Sequence, residues 1–261
     1  MLVLETSMHH ALRNNEFELY YQPKVNTQTL EMIGMEALIR WNDPEKGVVP
    51  PDVFIPVAEE CGFITPIGEW ALRTAACQVK QWNEKFKLDL RVSVNISPKH
   101  LSEKSFISTV KQIITETGVN PNHLDIEITE MSMVDQNDSL VEKIKELNEM
   151  GITVSIDDFG TGYSSLSYLK RFPVNTLKID RSFVSMVTVE ESGIPMLSAI
   201  ISLAHALKLD VVAEGVETEE ELHLLRDFNC EYIQGYYYSQ PLPVQAFTEK
   251  LIQTQNEKSA T

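Results

Sequence analysis

The sequence predicts an α/β protein, a modified (β/α)8 TIM-like barrel with one antiparallel strand. Three observations carry this reading. Eight short apolar runs of strand character recur along the chain, amphipathic segments separate most of the later ones, and only nine residues, Pro23 to Glu31, stand between the first two. Alternating strands and helices build parallel sheet, and eight such units suggest closure into a barrel. Nine residues are too few for a crossover helix, so the first two strands are expected to pair antiparallel. An open doubly wound sheet is the alternative.

The expected strands are Glu18–Gln22, Met32–Ile39, Leu90–Ile96, Leu124–Ile128, Thr153–Asp157, Thr176–Ile179, Val211–Ala213 and Tyr232–Tyr236. Amphipathic helical segments are expected at 67–85, 103–117, 138–150, 164–170, 195–207 and 218–228. The chain of 261 residues, 43% of them hydrophobic, is long enough for one large core. It reads as a single domain over 1–261, with the barrel at about 12–250 between a short lead-in and a tail.

Composition narrows the classes of partner. The formal net charge of −16 repels polymeric nucleic acid and anionic membranes. A phosphate ester as substrate would therefore need local positive charge, which a metal supplies. Cys61, Cys77 and Cys230 are odd in number and form no CxxC pair, which argues against a disulfide framework or structural zinc. A reducing, cytoplasmic setting is expected. The longest apolar stretch, Ile194 to Leu207, holds Pro195 and His205 and is shorter than the roughly 20 residues that span a bilayer. No signal-peptide pattern precedes it. A longer parent protein with a membrane anchor is compatible with this reading.

In a (β/α)8 barrel, chemistry sits at the C-terminal ends of the strands. Those ends carry polar residues one after another: Glu36 and Arg40, Asn95, Glu127, Asp157 with Asp158, Lys178 with Asp180, Glu214, and Gln234. Side chains alternate along a strand, so Glu36, Leu38 and Arg40 share a face, as do Lys178 and Asp180. Each residue alone has an ordinary explanation. Asp158 could cap a helix, Asn95 could start one, Lys178 could be a solvated edge lysine, and Tyr236 to Tyr238 could be packing rather than stacking residues. Such coincidences on successive strand ends are better explained by divalent metal. All-oxygen donors select Mg²⁺ or Mn²⁺ over zinc, and the six histidines show no HExxH or similar spacing. Five carboxylates exceed what one Mg²⁺ usually takes. The adjacent Asp157 and Asp158 suit two metals about 3.5–4 Å apart.

Read together, "EALIRW" at 36–41, "SVNIS" at 93–97, "EITE" at 127–130, "DDFGTGYSSL" at 157–166, "KID" at 178–180, "AEGVE" at 213–217 and "QGY" at 234–236 resemble the EAL-domain family of cyclic-di-GMP phosphodiesterases. The tripeptide Glu36-Ala37-Leu38 is common by chance, but the ordered set is specific and runs from about Leu12 to Pro243. The resemblance implies hydrolysis of cyclic di-GMP to linear pGpG with two Mg²⁺ or Mn²⁺. It implies metal contacts from Glu36, Asn95, Glu127 and Asp157, and a second metal served by Asp157, Asp158 and Glu214. Lys178, beside Glu36 and Glu214, would position or deprotonate the attacking water. Gln22, Leu38, Arg40, Asn95, Asp180, Glu217 and Gln234 match positions lining the nucleotide groove. Glu130 resembles the anchor of the 158–166 loop, which in that family couples metal binding to dimerisation. A homodimer and N-terminal regulatory domains in a longer parent are implied in the same way. Lys24 and Gln240 depart from the usual pattern and are expected to stand clear of the chemistry. Two rival readings remain: a cyclic-di-GMP receptor with little turnover, and an enolase-like lyase or isomerase.

Overall fold

The computed structural model describes residues 2–133, 138–160, 169–187 and 192–259. Helix α1 (Leu2–Arg13) leads into β1 (Phe17–Asn26) and β2 (Met32–Asp43), which form a long antiparallel pair. A short strand β3 (Gly47–Val49) folds back on β2, and helices α2 (Pro51–Cys61) and α3 (Ile64–Phe86) follow. Then come β4 (Arg91–Asn95), α4 (Pro98–Ser102), α5 (Phe106–Thr117), β5 (Leu124–Thr129), α6 (Asp138–Glu149), β6 (Thr153–Phe159) and β7 (Thr176–Ile179). The chain continues through α7 (Arg181–Met186), α8 (Gly193–Ala206), β8 (Asp210–Glu214), α9 (Glu219–Asp227) and β9 (Tyr232–Gln234). It ends with β10 (Leu242–Pro243) and α10 (Val244–Ser259).

Strands β2, β4, β5, β6, β7, β8 and β9 run parallel in that order, and β1 closes the ring antiparallel to both β2 and β9. The barrel with one reversed strand is therefore present. The close packing of β2 on β4 needs Gly34, because a Cβ there would lie 2.5 Å from the Arg91 carbonyl oxygen. Apolar residues pointing outward from the strands, such as Val92, Val94, Ile126, Val154, Leu177 and Val211, form the main core with the inner faces of α3, α5, α6 and α8. The parallel strands are covered on that side by helices, which is why their outward positions are almost all branched aliphatics.

The expected elements are mostly recovered, with informative differences. The helix expected over 103–117 is α5, starting at Phe106, and a short helix that was not expected, α4, precedes it and ends where Glu103 leaves helical geometry. Helix α2 starts at Pro51 after an N-cap Pro50 and contains Pro56, and these prolines masked it in the sequence. The lead-in is helical: Met8 and Ala11 of α1 are buried in a second, smaller core with Phe17, Trp41 and Phe54. The tail is helical as well, and Phe247 and Leu251 of α10 are buried on the barrel. The segment expected as a helix at 164–170 lies, except for its last residues, outside the described residues. No helix among the described residues is long and apolar enough to cross a membrane.

Candidate active site

The barrel mouth gathers the acids that the strand ends supply. Glu36 of β2, Glu127 of β5 and Asp157 of β6 are buried. Their nearest carboxylate oxygens lie within 4.8 Å of one another, as do those of Asp157, Asp158 and Glu214. Asp157 belongs to both groups, so it sits where a bridging carboxylate would.

The paired aspartates are resolved by backbone geometry. On a regular strand Asp157 and Asp158 would face opposite ways. Asp158 instead adopts φ +54°, and the pairing of β6 with β7 shifts register between Ile156 and Phe159. A non-glycine residue at positive φ is uncommon, and Asp is among the residue types that tolerate it. The twist turns both carboxylates to one side. The Asp158 amide donates to Asp157 Oδ1 at 3.0 Å.

Lys178 is fully buried at the centre of the cluster. Its Nζ lies 2.6 Å from Glu127 Oε2, 2.8 Å from Glu214 Oε1, 2.9 Å from Asp157 Oδ1 and 3.4 Å from Glu36 Oε2. Burial alone would lower the Lys178 pKa, but the surrounding carboxylates outweigh it and hold it well above the ordinary value. Burial pushes the Glu214 carboxyl up to about 8 despite Lys178. Burial and the neighbouring Glu127 likewise raise Glu36. Asp157 is raised by burial and Asp158 by burial and then Asp180. Glu127 goes the other way: burial would raise it, but the ammoniums of Lys178 and Lys24 hold it down to about 2.

The second cation was not expected at this place. Lys24, two residues along β1 from Gln22, enters the barrel and pairs with Glu127 Oε1. It also donates to Ser93 Oγ at 2.6 Å and lies 3.9 Å from Asp125 Oδ2. The expectation that Lys24 stands clear of the chemistry is therefore corrected, since it touches a candidate ligand. Strand alternation could have found it: the residue two positions from an inward Gln22 must also point inward.

The remaining candidates divide into those held in the cluster and those beside it. Asn95 Nδ2 donates to Glu36 Oε1 at 2.6 Å, and Gln234 Nε2 donates to Glu36 Oε2 at 2.6 Å and to Gln22 Oε1 at 3.0 Å. Gln22 in turn donates to the Ser239 carbonyl at 3.1 Å. Gln234 Oε1 is buried without a hydrogen-bond partner. Leu38 and Arg40 leave β2 beyond Glu36 and line, with Asn95 and Asp158, a cavity of about 380 Å³ open to the mouth. The Arg40 guanidinium rests 5.3 Å over the Tyr20 ring. Asp180 caps α7, its Oδ1 accepting from the Ser182 amide at 3.0 Å. Glu217 is exposed, on the turn before α9, where its amide donates to Glu221 Oε2 at 2.8 Å. Glu130 Oε2 accepts from the Gly160 amide at 2.9 Å, tying the end of β5 to the end of β6. Residues 161–168 of the loop it would anchor lie outside the described residues. Strand β9 ends at Gln234, earlier than expected, so Tyr236 and Tyr237 sit in an exposed turn rather than a packed strand.

A closed barrel with one reversed strand, bearing an all-oxygen cluster around a buried lysine at its C-terminal mouth, defines the class of protein. The sequence profile of the EAL domain matches residues 5–241, and the chain belongs to the EAL domain family. It is 41% identical over 244 residues to the oxygen sensor protein DosP of Escherichia coli, covering 94% of this chain and 30% of that protein. It is 39% identical over 250 residues to the cyclic di-GMP phosphodiesterase NbdA of Pseudomonas aeruginosa, covering 96% of this chain and 32% of that one. The solved structure of the PaMucR phosphodiesterase in complex with c-di-GMP superposes with a TM-score of 0.90 at 38% identity, covering 94% of this chain and 99% of that one. The chain thus spans about a third of the length of these curated relatives.

Proposed function

We propose that this chain hydrolyses cyclic di-GMP to linear pGpG, using two divalent cations, Mg²⁺ or Mn²⁺. The observation that carries the reading is the mouth cluster, in which four carboxylates meet one buried lysine and a fifth, Asp158, joins Asp157 and Glu214. The donor set fits such cations: it is all oxygen, with two groups of three ligand atoms each within 4.8 Å. Glu36, Glu127 and Asp157 would hold one cation and Asp157, Asp158 and Glu214 the other. Asn95 would join the first through its amide oxygen, by turning away the Nδ2 that now donates to Glu36. Such cations offset charge on phosphoryl oxygens and make water a better nucleophile near neutral pH.

The chain's own groups do the rest. Lys178 is protonated and central, and it orients the attacking water as a hydrogen-bond donor. Arg40 offers a planar fork to a phosphate oxygen. Leu38 and the cavity beside it receive an apolar face of the nucleotide. Gln234 orients Glu36 and keeps Oε1 for a donor on the ligand, with Gln22 bracing it. Glu130 holds Gly160, and through it the turn at Asp158. Asp180 and Glu217 flank the groove, Asp180 while capping α7. Support comes from relatives named as cyclic di-GMP phosphodiesterases and from the likeness to a phosphodiesterase bound to c-di-GMP. Full occupancy of the candidate ligand positions favours an enzyme over a receptor that only binds. A homodimer, and regulatory segments in a longer parent, belong to the same reading.

The test is to incubate the purified chain with cyclic di-GMP and Mg²⁺ or Mn²⁺, beside a metal-free control, and to resolve the nucleotides by chromatography. Metal-dependent pGpG is the expected product. Intact cyclic dinucleotide that co-elutes with the protein would leave the receptor reading instead.

A further inference from the structure

The mouth cluster rests on a second polar layer that no part of the proposed reaction uses. Ser93, Asp125 and Ser155 each lie two residues before a mouth residue (Asn95, Glu127 and Asp157) and so point inward one level lower. Lys24 reaches the same level from the reversed strand. Asp125 is fully engaged there, accepting from Ser93 Oγ at 2.6 Å and from Ser155 Oγ at 2.9 Å. Lys24 is buried, with Ser93, Glu127 and Asp125 around its ammonium.

Glu127 is consequently gripped from both sides. Lys178 holds Oε2 from within the cluster, and Lys24 holds Oε1 from beneath it. The two lysines differ in what a cation would do to them. Lys178 stands among the ligand atoms themselves, so an entering cation takes over contacts that Lys178 now makes. Lys24 stands outside the ligand set, locked by Asp125 and Ser93, and keeps its charge on the far oxygen of Glu127 whether or not a cation is present.

We propose that Lys24 is a positioning residue that sets the affinity of the mouth for divalent cations. It reserves one oxygen of Glu127, so that Glu127 offers only Oε2 to the cluster, and its fixed charge opposes the cation. This rests on reading the cluster as a cation site. The sign follows from Coulomb's law. A cation bonded to the outer oxygen of a ligand draws electron density from the inner one and adds repulsion across a low-dielectric gap. Partners behind a ligand commonly shift metal affinity or activity by about 10–100-fold. Asp125 has the opposite effect, because it offsets Lys24. Removing Lys24 therefore tightens cation binding, and neutralising Asp125 weakens it.

The experiment is calorimetric titration of the purified chain with Mn²⁺ alone, for wild type, Lys24→Met, Lys24→Gln and Asp125→Asn, with circular dichroism to confirm the fold of each. Lys24→Met and Lys24→Gln should bind Mn²⁺ at least about tenfold more tightly, and Asp125→Asn about tenfold more weakly. A packing role for the lower layer would weaken all of them, and that result overturns the proposal. Unchanged affinity in all of them overturns it too. Lys24→Gln keeps a polar group against Ser93 and decides the matter if Lys24→Met does not fold. No Mn²⁺ uptake by the wild type would remove the cation site itself, whereas normal uptake with unmoved variants removes only the role of Lys24.

Discussion

The mouth of the barrel and the layer just beneath it are built from the same strands, two residues apart, yet they resolve their charge in opposite ways. The lower layer closes on itself: one carboxylate, Asp125, meets two serine hydroxyls and stands 3.9 Å from one ammonium. The mouth does not close. Glu36, Glu127, Asp157, Asp158 and Glu214 outnumber Lys178 and the shared Lys24, and Glu214 is left with a raised pKa of about 8. Burying carboxylates without enough counter-charge is costly. A balanced layer is structure, and an unbalanced one above it is a place for a ligand that carries positive charge.

The largest expected effect breaks the unbalanced side. Asp157→Asn removes the carboxylate common to both groups of three, and cyclic di-GMP turnover should fall at least about a hundredfold, in line with the loss of a bridging charge. Near wild-type rates would reject the two-cation reading. Next comes Lys178→Met, assayed as the metal-free protein. Taking away the one cation inside the cluster leaves buried charges uncompensated, which typically costs about 3–5 kcal/mol. For a domain of this size that is a fall in melting temperature of about 10 °C. Added Mn²⁺ should recover much of it in the variant, because cations replace the missing ammonium. A melting curve that ignores Mn²⁺ would mean that the mouth is balanced by something else.

Ser155→Ala probes the balanced side. It removes one hydrogen bond to a buried carboxylate, a loss of about 1.5–3 kcal/mol, while leaving every charge in place. Denaturant unfolding should show that loss with no change in Mn²⁺ affinity. A shift in affinity as large as that of a charge-removing variant would mean that the two layers are not separable.

Much of this was legible in the sequence. The strand order, the reversed first pair and each acid at the mouth follow from apolar runs, connection length and strand ends. The lower layer obeys the same alternation, but Ser93, Asp125 and Ser155 each sit inside an apolar run, where a single polar residue carries no signal unless its neighbours on other strands are considered together. The positive φ at Asp158 was not legible, because the pair of aspartates is equally compatible with a regular strand end. Helix α2 was hidden by its prolines, and α1 and α10 were missed for a different reason. Each buries only a narrow apolar face, such as Met8 and Ala11 in α1 or Phe247 and Leu251 in α10, against partners distant in sequence.

A third buried polar group, His100, is handled by neither device, and it yields the smallest expected effect. His100 stands on α4 beside the mouth cavity, buried, with neither ring nitrogen hydrogen-bonded. Gly68 makes the room for it, since a Cβ there would lie 2.4 Å from Nδ1. Burial, helped by Lys143, pushes its pKa down from 6.5 to about 4, so the ring is accommodated by staying neutral. A base whose pKa is lower in the folded state adds stability above its unfolded pKa and loses it as pH falls toward the folded one. The window here runs from about pH 6.5 to about pH 4. Between pH 7 and pH 6 only its upper edge is crossed, and the cost is below about 1 kcal/mol. The metal-free wild type should therefore lose a little more stability over that unit than His100→Leu, by about 1–3 °C in melting temperature. Parallel curves for the two proteins would mean that the ring finds a hydrogen-bond partner in solution, and that His100 is balanced locally, as Asp125 is.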